Sequence, residues 1–453
     1  MAKRKTTGKR NSKVPPAPLP ETNLAADLLY GSADQVFRLV NRRTNAVERV
    51  IDRVEMEAEF RLRHEELKEQ RAVAAKALKR LAKWVEKGYF GSEVSCSIAF
   101  RKKFGRIISP LRYVLEVHVP FKSTDARLIP WPDGGAKRKP SKGRIYAVPQ
   151  TVDGVLTKVI ETQVYRTDDP GAVHSDAELP GTVRVAATGR LGDIGGTPAV
   201  LLSSTELIGG LPTSQADHGD WGTVGIVCQS KTDGKHLALV NSHFGIGSMV
   251  QPPRKPAPAD QPLWEIGSVV ESNRVDANVY DSSVEESFYV DGAYFALKAN
   301  RHSLVDLVQE FAAEPFLYAR SYLRDYHDDS NRQDSFRKVF KFGAKTLTRI
   351  EGFIENTADT VPYQGRYLRN VIRARRNGSG TFTLDGDSGS VLVAPIYDSQ
   401  TQRERFLVVG LCFGGVVGNN EVLYACQFAA VIKALKLPIP AASLRDDWEY
   451  SRQ

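Results

Sequence analysis

The chain has 453 residues, 42% of them hydrophobic and 9% aromatic, which excludes wholesale disorder and leaves room for two or three compact units. No apolar run reaches the roughly 18 residues a bilayer-spanning helix needs, the longest being Phe406 to Gly418 with its several glycines. The net charge is +9, and residues 1–90 hold 20 Lys plus Arg against 12 Asp plus Glu, a net of +8, so the rest of the chain is nearly neutral.

Residues 1–44 read as a basic, largely disordered arm, with Lys3, Arg4, Lys5, Lys9, Arg10 and Lys13 followed by Pro15, Pro16, Pro18 and Pro20. Residues 1–20 suit weak, non-specific contact with nucleic acid, or equally a solubilising tail. No apolar segment follows the first charges, so a secretory signal is not expected and the expected compartment is cytoplasmic. Cys96, Cys228, Cys412 and Cys426 show no CxxC spacing and are too sparse for a disulfide scaffold, which fits a reducing compartment and buried thiols.

Residues 45–87 lack Pro and Gly and are dense in Glu, Arg, Lys, Ala and Leu, which predicts one or two amphipathic helices. Val73, Ala77, Leu81 and Trp84 recur at helical spacing, whereas Phe60, Leu62 and Leu67 fall out of phase, against a long coiled coil. Packing on the protein's own body, self-association and docking of a regulatory partner are all consistent with such a stripe. Gly88 ends the helical zone. Alternation through Val94–Phe100 and Tyr113–Val119 then predicts strands of a small α+β unit over 88–165, in which His118 is a packed strand residue. Residues 166–215, rich in Gly, Asp, Thr and Pro, read as linker and loops.

Gly222-Thr-Val-Gly-Ile-Val-Cys, the Asp233-Gly234 turn and His236-Leu-Ala-Leu-Val-Asn-Ser-His-Phe form a predicted β-hairpin whose second strand ends on His243. Phe288-Tyr-Val-Asp-Gly-Ala-Tyr-Phe-Ala-Leu places Asp291 among apolar strand residues on both sides, a costly position for an acid without a partner. Asp276 and Asp281, in a more polar stretch, are alternative acids. Leu384-Asp-Gly-Asp-Ser-Gly-Ser-Val-Leu-Val is a tight polar turn feeding an apolar strand. Gly386 and Gly389 allow a sharp bend there, so that the amides of Gly386 and Ser388 can converge on one point as an oxyanion hole.

These segments together resemble the trypsin-like (chymotrypsin-fold) serine proteases. Gly-Asp-Ser-Gly is similar to their nucleophile turn, Val-Asn-Ser-His to the Thr-Asn-Asn-His of high-temperature-requirement-type relatives and bacterial intracellular trypsin-like peptidases, and Asp291-Gly-Ala-Tyr-Phe-Ala-Leu to their Asp-x-Ala-x-x-x-Leu strand. The order His243, Asp291, Ser388 is that of the chymotrypsin type and not of subtilisins or α/β-hydrolases. The resemblance implies a mainly β protein, with a chymotrypsin-like double β-barrel over 216–440, a helical N-terminal region and the small α+β unit. Residues 152–161 of that unit are similar to the N-terminal unit of bacterial trypsin-like peptidases and of the plant narrow-leaf type. It further implies Ser388 as nucleophile, His243 as general base and Asp291 as its orienting acid. Val408-Val-Gly-Leu-Cys-Phe-Gly-Gly resembles the substrate-cleft wall, with Phe413, Gly414 and Gly415 lining it and Phe382 at the base of the pocket for the side chain before the cut. Phe382 there favours an apolar or small side chain over a basic one. No start sequence like Ile-Val-Gly-Gly precedes the barrel, so activation by a new N-terminus pairing with Asp387 is not expected.

The implied function is an intracellular serine endopeptidase acting on proteins or peptides, needing no metal or organic cofactor and regulated through its N-terminal region, in a bacterial stress or defence setting. A non-catalytic peptide-binding scaffold on the same fold and a nucleic-acid-associated protein led by the basic arm are the alternatives. Ala429-Ala-Val-Ile-Lys-Ala-Leu predicts a C-terminal packing helix, and residues 441–453 read as a tail.

Overall fold

The computed structural model describes residues 39–450 except for 41–46, 49–52, 121–127, 166–207, 213–221, 252–263, 298–315, 325–333, 344–348 and a few shorter breaks. Nearly all of the basic arm and of the 166–215 linker, and the proline-rich loop after Gln251, therefore lie outside the described residues. The fold is mainly β with a helical N-terminal region, as the sequence predicts.

The helical zone forms two helices, α1 (Arg53–Leu62) and α2 (His64–Glu86). They are separated at Arg63, whose guanidinium pairs with Glu59 of the first at 3.1 Å and Glu66 of the second at 2.5 Å. Gly88 closes α2 with φ +69°, a conformation that favours glycine. The buried stripe of α2 is Leu67, Ala74, Ala77, Leu81 and Val85, so the predicted phase is off by one residue at two places: Val73 is 50% exposed and Trp84 only partly covered, its ring tilted against that of Trp131. Leu67, which looked out of phase, begins the stripe.

That stripe packs on a four-stranded sheet containing β1 (Ser95–Phe100), β2 (Tyr113–Val119) and β3 (Val155–Glu161). In it β2 lies between antiparallel β1 and parallel β3. Of the three uses that the amphipathic face allowed, the chain takes packing on its own body. A two-residue strand, β4 (Val164–Tyr165), follows β3.

Next comes a β unit of two four-stranded sheets. One pairs Gly222–Thr223, Ile208–Pro212, Gly247–Gln251 and Trp264–Val269. The other pairs β5 (Ile226–Gln229), β6 (His236–Val240), β8 (Glu286–Ala296) and β7 (Arg274–Asp281), in that order. Where Gly267 of the first meets Phe295 of the second there is no room for a side chain, since a Cβ would stand 2.3 Å from the Phe295 ring.

The C-terminal unit is built from β9 (Lys338–Phe342), β10 (Arg349–Tyr363), β11 (Arg366–Arg376), β12 (Val391–Asp398), β13 (Arg403–Val416) and β14 (Asn419–Gln427). Each pairs antiparallel with the next in the order β13, β14, β11, β10, β9, β12, and β12 pairs back to β13, closing a barrel. Closure removes the unpaired sheet edges. Its interior holds Val339, Ile354, Ile372, Ala374, Leu392 and Val409. Helix α3 (Phe428–Leu435) packs on β8 and β13. The segment read as a C-terminal tail is instead built in: Leu444–Arg445 pairs with Leu317–Ala319, Glu449–Tyr450 pairs with β12, and Trp448 and Tyr450 are buried. Two aromatic side chains near the end of a chain are the signal for docking that its charge conceals.

A buried charge cluster ties the α+β unit to this barrel. Arg373 on β11 reaches Glu116 of β2 at 2.6 Å, Asp359 of β10 at 2.9 Å and Glu355 at 3.1 Å. His118 sits 3.2 Å from Asp359 and 2.9 Å from the Thr162 hydroxyl. Burial alone would raise the Asp359 carboxyl, but the charge of Arg373, followed by contact with His118, outweighs it and holds the group well below the ordinary carboxylate range. Arg373→Met removes the cation that three buried carboxylates share, with Glu355 keeping Arg375 and Asp359 keeping His118, and is expected to destabilise the protein by about 3–5 kcal/mol in urea unfolding at pH 7. Because the folded value of Asp359 lies below its unfolded one, its stabilisation is present above about pH 4 and lost as the pH falls further. The gap between wild type and variant should narrow over that acid range.

The cysteines are free thiols, and burial pushes those of Cys96, Cys228 and Cys412 up to about 12, which makes them inert at neutral pH. Among the described residues no helix is long and apolar enough to cross a membrane.

Candidate active site

The predicted hairpin forms as β5 and β6, with Gly234 at φ +70° in its turn and Ile226 opposite Leu239. Strand β6 stops at Val240, and His243 lies three residues beyond, in a single helical turn spanning Ser242–Phe244. Strand β8 runs beside β6 with Ala293 opposite Val240, so Asp291, two residues earlier, comes level with that turn.

The Asp291 carboxylate is fully buried and aimed at the turn. Its Oδ1 accepts the amides of Ser242 at 2.9 Å and His243 at 3.1 Å, and its Oδ2 lies 2.6 Å from His243 Nδ1. The Asn241 side-chain amide in turn donates to the Asp291 backbone carbonyl at 2.7 Å. A carboxylate can only accept, so the imidazole presents its Nδ1–H to Asp291 and keeps the lone pair of Nε2 for another partner. Phe244 packs its ring edge-on against the imidazole at 4.6 Å.

The alternative acids have other employment. Asp276 accepts the Tyr289 hydroxyl and pairs with Arg366, both at 2.8 Å. Asp281 is held well below the ordinary carboxylate range by hydrogen bonds from Lys433, Tyr322 and Ser283.

Ser388 stands on the turn from Gly386 to Gly389, whose two glycines have φ +90° and +91°. Its hydroxyl donates to the Phe413 carbonyl of β13 at 3.2 Å. The turn is pinned on both sides. On β13, the Gly389 amide donates to Cys412 O at 2.9 Å and the Cys412 amide to Ser390 O at 2.8 Å. From the other β unit, Thr223 donates its amide to Ser388 O at 2.8 Å and its hydroxyl to Gly386 O at 2.9 Å. Gly389 must be glycine for a second reason, since a Cβ there would fall 2.0 Å from Thr223 O. Thr223 leads into β5, and the neighbouring Gly225 amide donates to Leu239 O at 2.9 Å, four residues before His243. The serine turn is thus clamped to the strand pair that carries the histidine. Among the described residues the amides of Gly386 and Ser388 have no hydrogen-bond partner, as donors awaiting an oxyanion would not.

Sequence reasoning missed the group that holds this turn from behind. Asp387 is fully buried; its Oδ2 accepts the Leu384 amide at 2.9 Å and pairs with the ammonium of Lys341, which is itself wholly buried on β9. Gly343 leaves the space the Asp387 carboxylate fills, since a Cβ there would lie 2.1 Å from its Oδ1. The clue was a lysine inside the apolar strand Lys338-Val-Phe-Lys-Phe, where an unpaired ammonium would be costly.

Two of the four expected cleft residues do not line a cleft with their side chains. Phe382 is enclosed in the barrel core among Ile354, Ala374 and Leu392, in space left by Gly352, so it does not floor a specificity pocket. The Phe413 ring is buried between Tyr289, at 5.2 Å, and Tyr424, at 6.4 Å, and only its carbonyl faces Ser388. Gly414 and Gly415 pair with Tyr424 and Leu423 of β14. Among the described residues no group of three His, Cys, Asp or Glu side chains is arranged to hold a metal ion.

No protein-family model matches the chain, and no curated protein matches its sequence. Solved structures similar to it include the active form of the Rv3671c protease from M. tuberculosis, at 16% identity over 55% of this chain and 91% of that one, with a TM-score of 0.28. Nocardiopsis protease is 16% identical over 51% of this chain and 96% of its own, with a TM-score of 0.28. Thermobifida fusca protease A is 13% identical over 54% and 98%, with a TM-score of 0.27. At scores this low the reading of the site rests on its own geometry.

Proposed function

We propose that the protein is a serine endopeptidase in which Ser388, His243 and Asp291 cleave peptide bonds through an acyl-enzyme. The observation that carries this reading is the Asp291 carboxylate, which accepts two backbone amides and the His243 Nδ1–H and so fixes one imidazole tautomer at the end of the strand pair to which the serine turn is clamped.

In the proposed reaction Ser388 Oγ attacks the scissile carbonyl while its proton passes to His243 Nε2. The resulting imidazolium is stabilised by Asp291, and the oxyanion by the amides of Gly386 and Ser388. His243 then gives its proton to the departing amine, leaving a serine ester. Water attacks the ester, losing a proton to His243, and the carboxylate product leaves as Ser388 regains its hydrogen. The substrate is a protein or peptide. A cytoplasmic setting and control through the N-terminal region belong to the same proposal, with the difference that residues 64–86 serve through their packing on the α+β sheet and not as a free docking helix.

Incubation of the purified chain with a pool of internally quenched fluorogenic peptides and with casein tests the reading. Cleavage that disappears in Ser388→Ala supports it, and cleavage that persists in that variant assigns the activity elsewhere.

A further inference from the structure

Strand β13 has two edges, and they are used differently. One carries β14 along Gly410–Val416. The other carries β12 as far as Leu411, then the backbone of Gly389 and Ser390 at Cys412, then the Ser388 hydroxyl at the Phe413 carbonyl. Further along this same edge lies β4, antiparallel, with Tyr165 opposite Gly415 and Val164 opposite Val416.

An extended peptide that binds by strand addition to β13 and offers a carbonyl to Ser388 has only this edge to use. Its reacting residue must face Phe413, where the serine is. Run antiparallel, the residue facing Gly415 is then the third on the amino side of the cut and the residue facing Val416 the fourth. Those two positions are the ones Tyr165 and Val164 fill. At about 3.4 Å per residue, Tyr165 stands roughly 7 Å along the edge from the reacting position.

The strand is also anchored. Val164 is buried, and just before it the Thr162 amide donates to Val119 O at 2.8 Å while its hydroxyl meets His118. A tethered segment competes at an effective concentration in the millimolar range, well above that of most free substrates.

Resting on the serine-protease reading, we propose that Val164–Tyr165 is a built-in competitor, occupying the third and fourth subsites before the cut, so that the resting enzyme takes extended peptides poorly until this strand is displaced. Single-residue or small reagents that need only Ser388 are not excluded by it.

Two probes separate these effects: a small alkyl fluorophosphonate, and a tetrapeptidyl phosphonate with a small apolar residue at the reacting end. In Val164→Gly/Tyr165→Gly the tetrapeptidyl probe should label at least tenfold faster than in wild type, and the small probe within twofold. Equal rates for the tetrapeptidyl probe overturn the proposal while leaving the protease reading intact. Absence of labelling by the small probe in both proteins counts against the protease reading itself. Occupancy of the edge is then decided without catalysis, on Ser388→Ala protein, by fluorescence anisotropy of a labelled peptide with the sequence of residues 160–167. Binding at least tenfold tighter when the glycine pair is also present supports the competitor, and equal affinity overturns it. Should circular dichroism find the glycine variant unfolded, Tyr165→Pro, which removes one backbone donor, takes its place in both assays.

Discussion

If Ser388, His243 and Asp291 act as proposed, Asp291→Asn is expected to lower kcat for peptide hydrolysis by about 10⁴-fold while the protein stays folded. The asparagine carbonyl can keep the Ser242 and His243 amides that Asp291 Oδ1 now accepts, so the turn holds. Its NH₂ group then faces His243 Nδ1, where Oδ2 now stands at 2.6 Å. Two donors cannot face one another, so the imidazole gives its lone pair to the amide and carries its hydrogen on Nε2, the nitrogen that must receive the serine proton. The loss falls on kcat rather than KM, because substrate contacts are untouched. Stopped-flow and steady-state assays at pH 7 on the variant check it, and a fall of less than tenfold would mean that His243 does not act as the base.

Lys341→Met is expected to lower kcat by about 10²–10³-fold, the effect of losing an oxyanion donor, through residues that touch no substrate. Lys341 and Asp387 are both wholly buried, and Asp387 is the residue between the two amides of the proposed oxyanion hole. Removing the ammonium takes the counter-charge from a buried carboxylate, at a cost of about 3–5 kcal/mol, which is relieved by protonation of Asp387 or by swinging it outward. Such a swing takes the amides of Gly386 and Ser388 off target. The double variant Lys341→Met/Asp387→Asn has no buried charge to strand and keeps an acceptor for the Leu384 amide, so it should recover most of the lost stability. As a control, Lys433→Met breaks a half-exposed pair with Asp281 and should cost about 1 kcal/mol or less, with activity intact. The chain thus supplies from β9 the cation that holds this turn.

The parts of the site that were legible in the sequence carry local signals. The hairpin to His243 has period-2 alternation and an Asp-Gly turn, the serine turn has its glycines, and Asp291 is an acid where a strand is apolar on both sides. The expected mainly β fold follows from the same alternation. What the sequence hid depends on pairing between distant segments. Whether the two central aromatics, Phe382 and Phe413, face a cleft or a core is decided by Gly352 and by Tyr289 and Tyr424, none of them neighbours in sequence. Arg373 lies in Val371-Ile-Arg-Ala, and its three acids come from β2 and β10. Helix α2 was legible as a helix, but its buried face was set by the sheet beneath it, which selects Leu67, Ala74 and Val85 over Val73 and Trp84. A strand of two residues, such as β4, has no period to read.

Covalent capture of the nucleophile tests the central claim most directly. The purified full chain is treated with a fluorophosphonate and its intact mass and tryptic peptides are measured, beside Ser388→Ala and His243→Ala. One adduct per chain, located on Ser388, absent from the first variant and slowed at least 10³-fold in the second, is the predicted result. An unmodified chain, or an adduct that forms equally fast without His243, would contradict it.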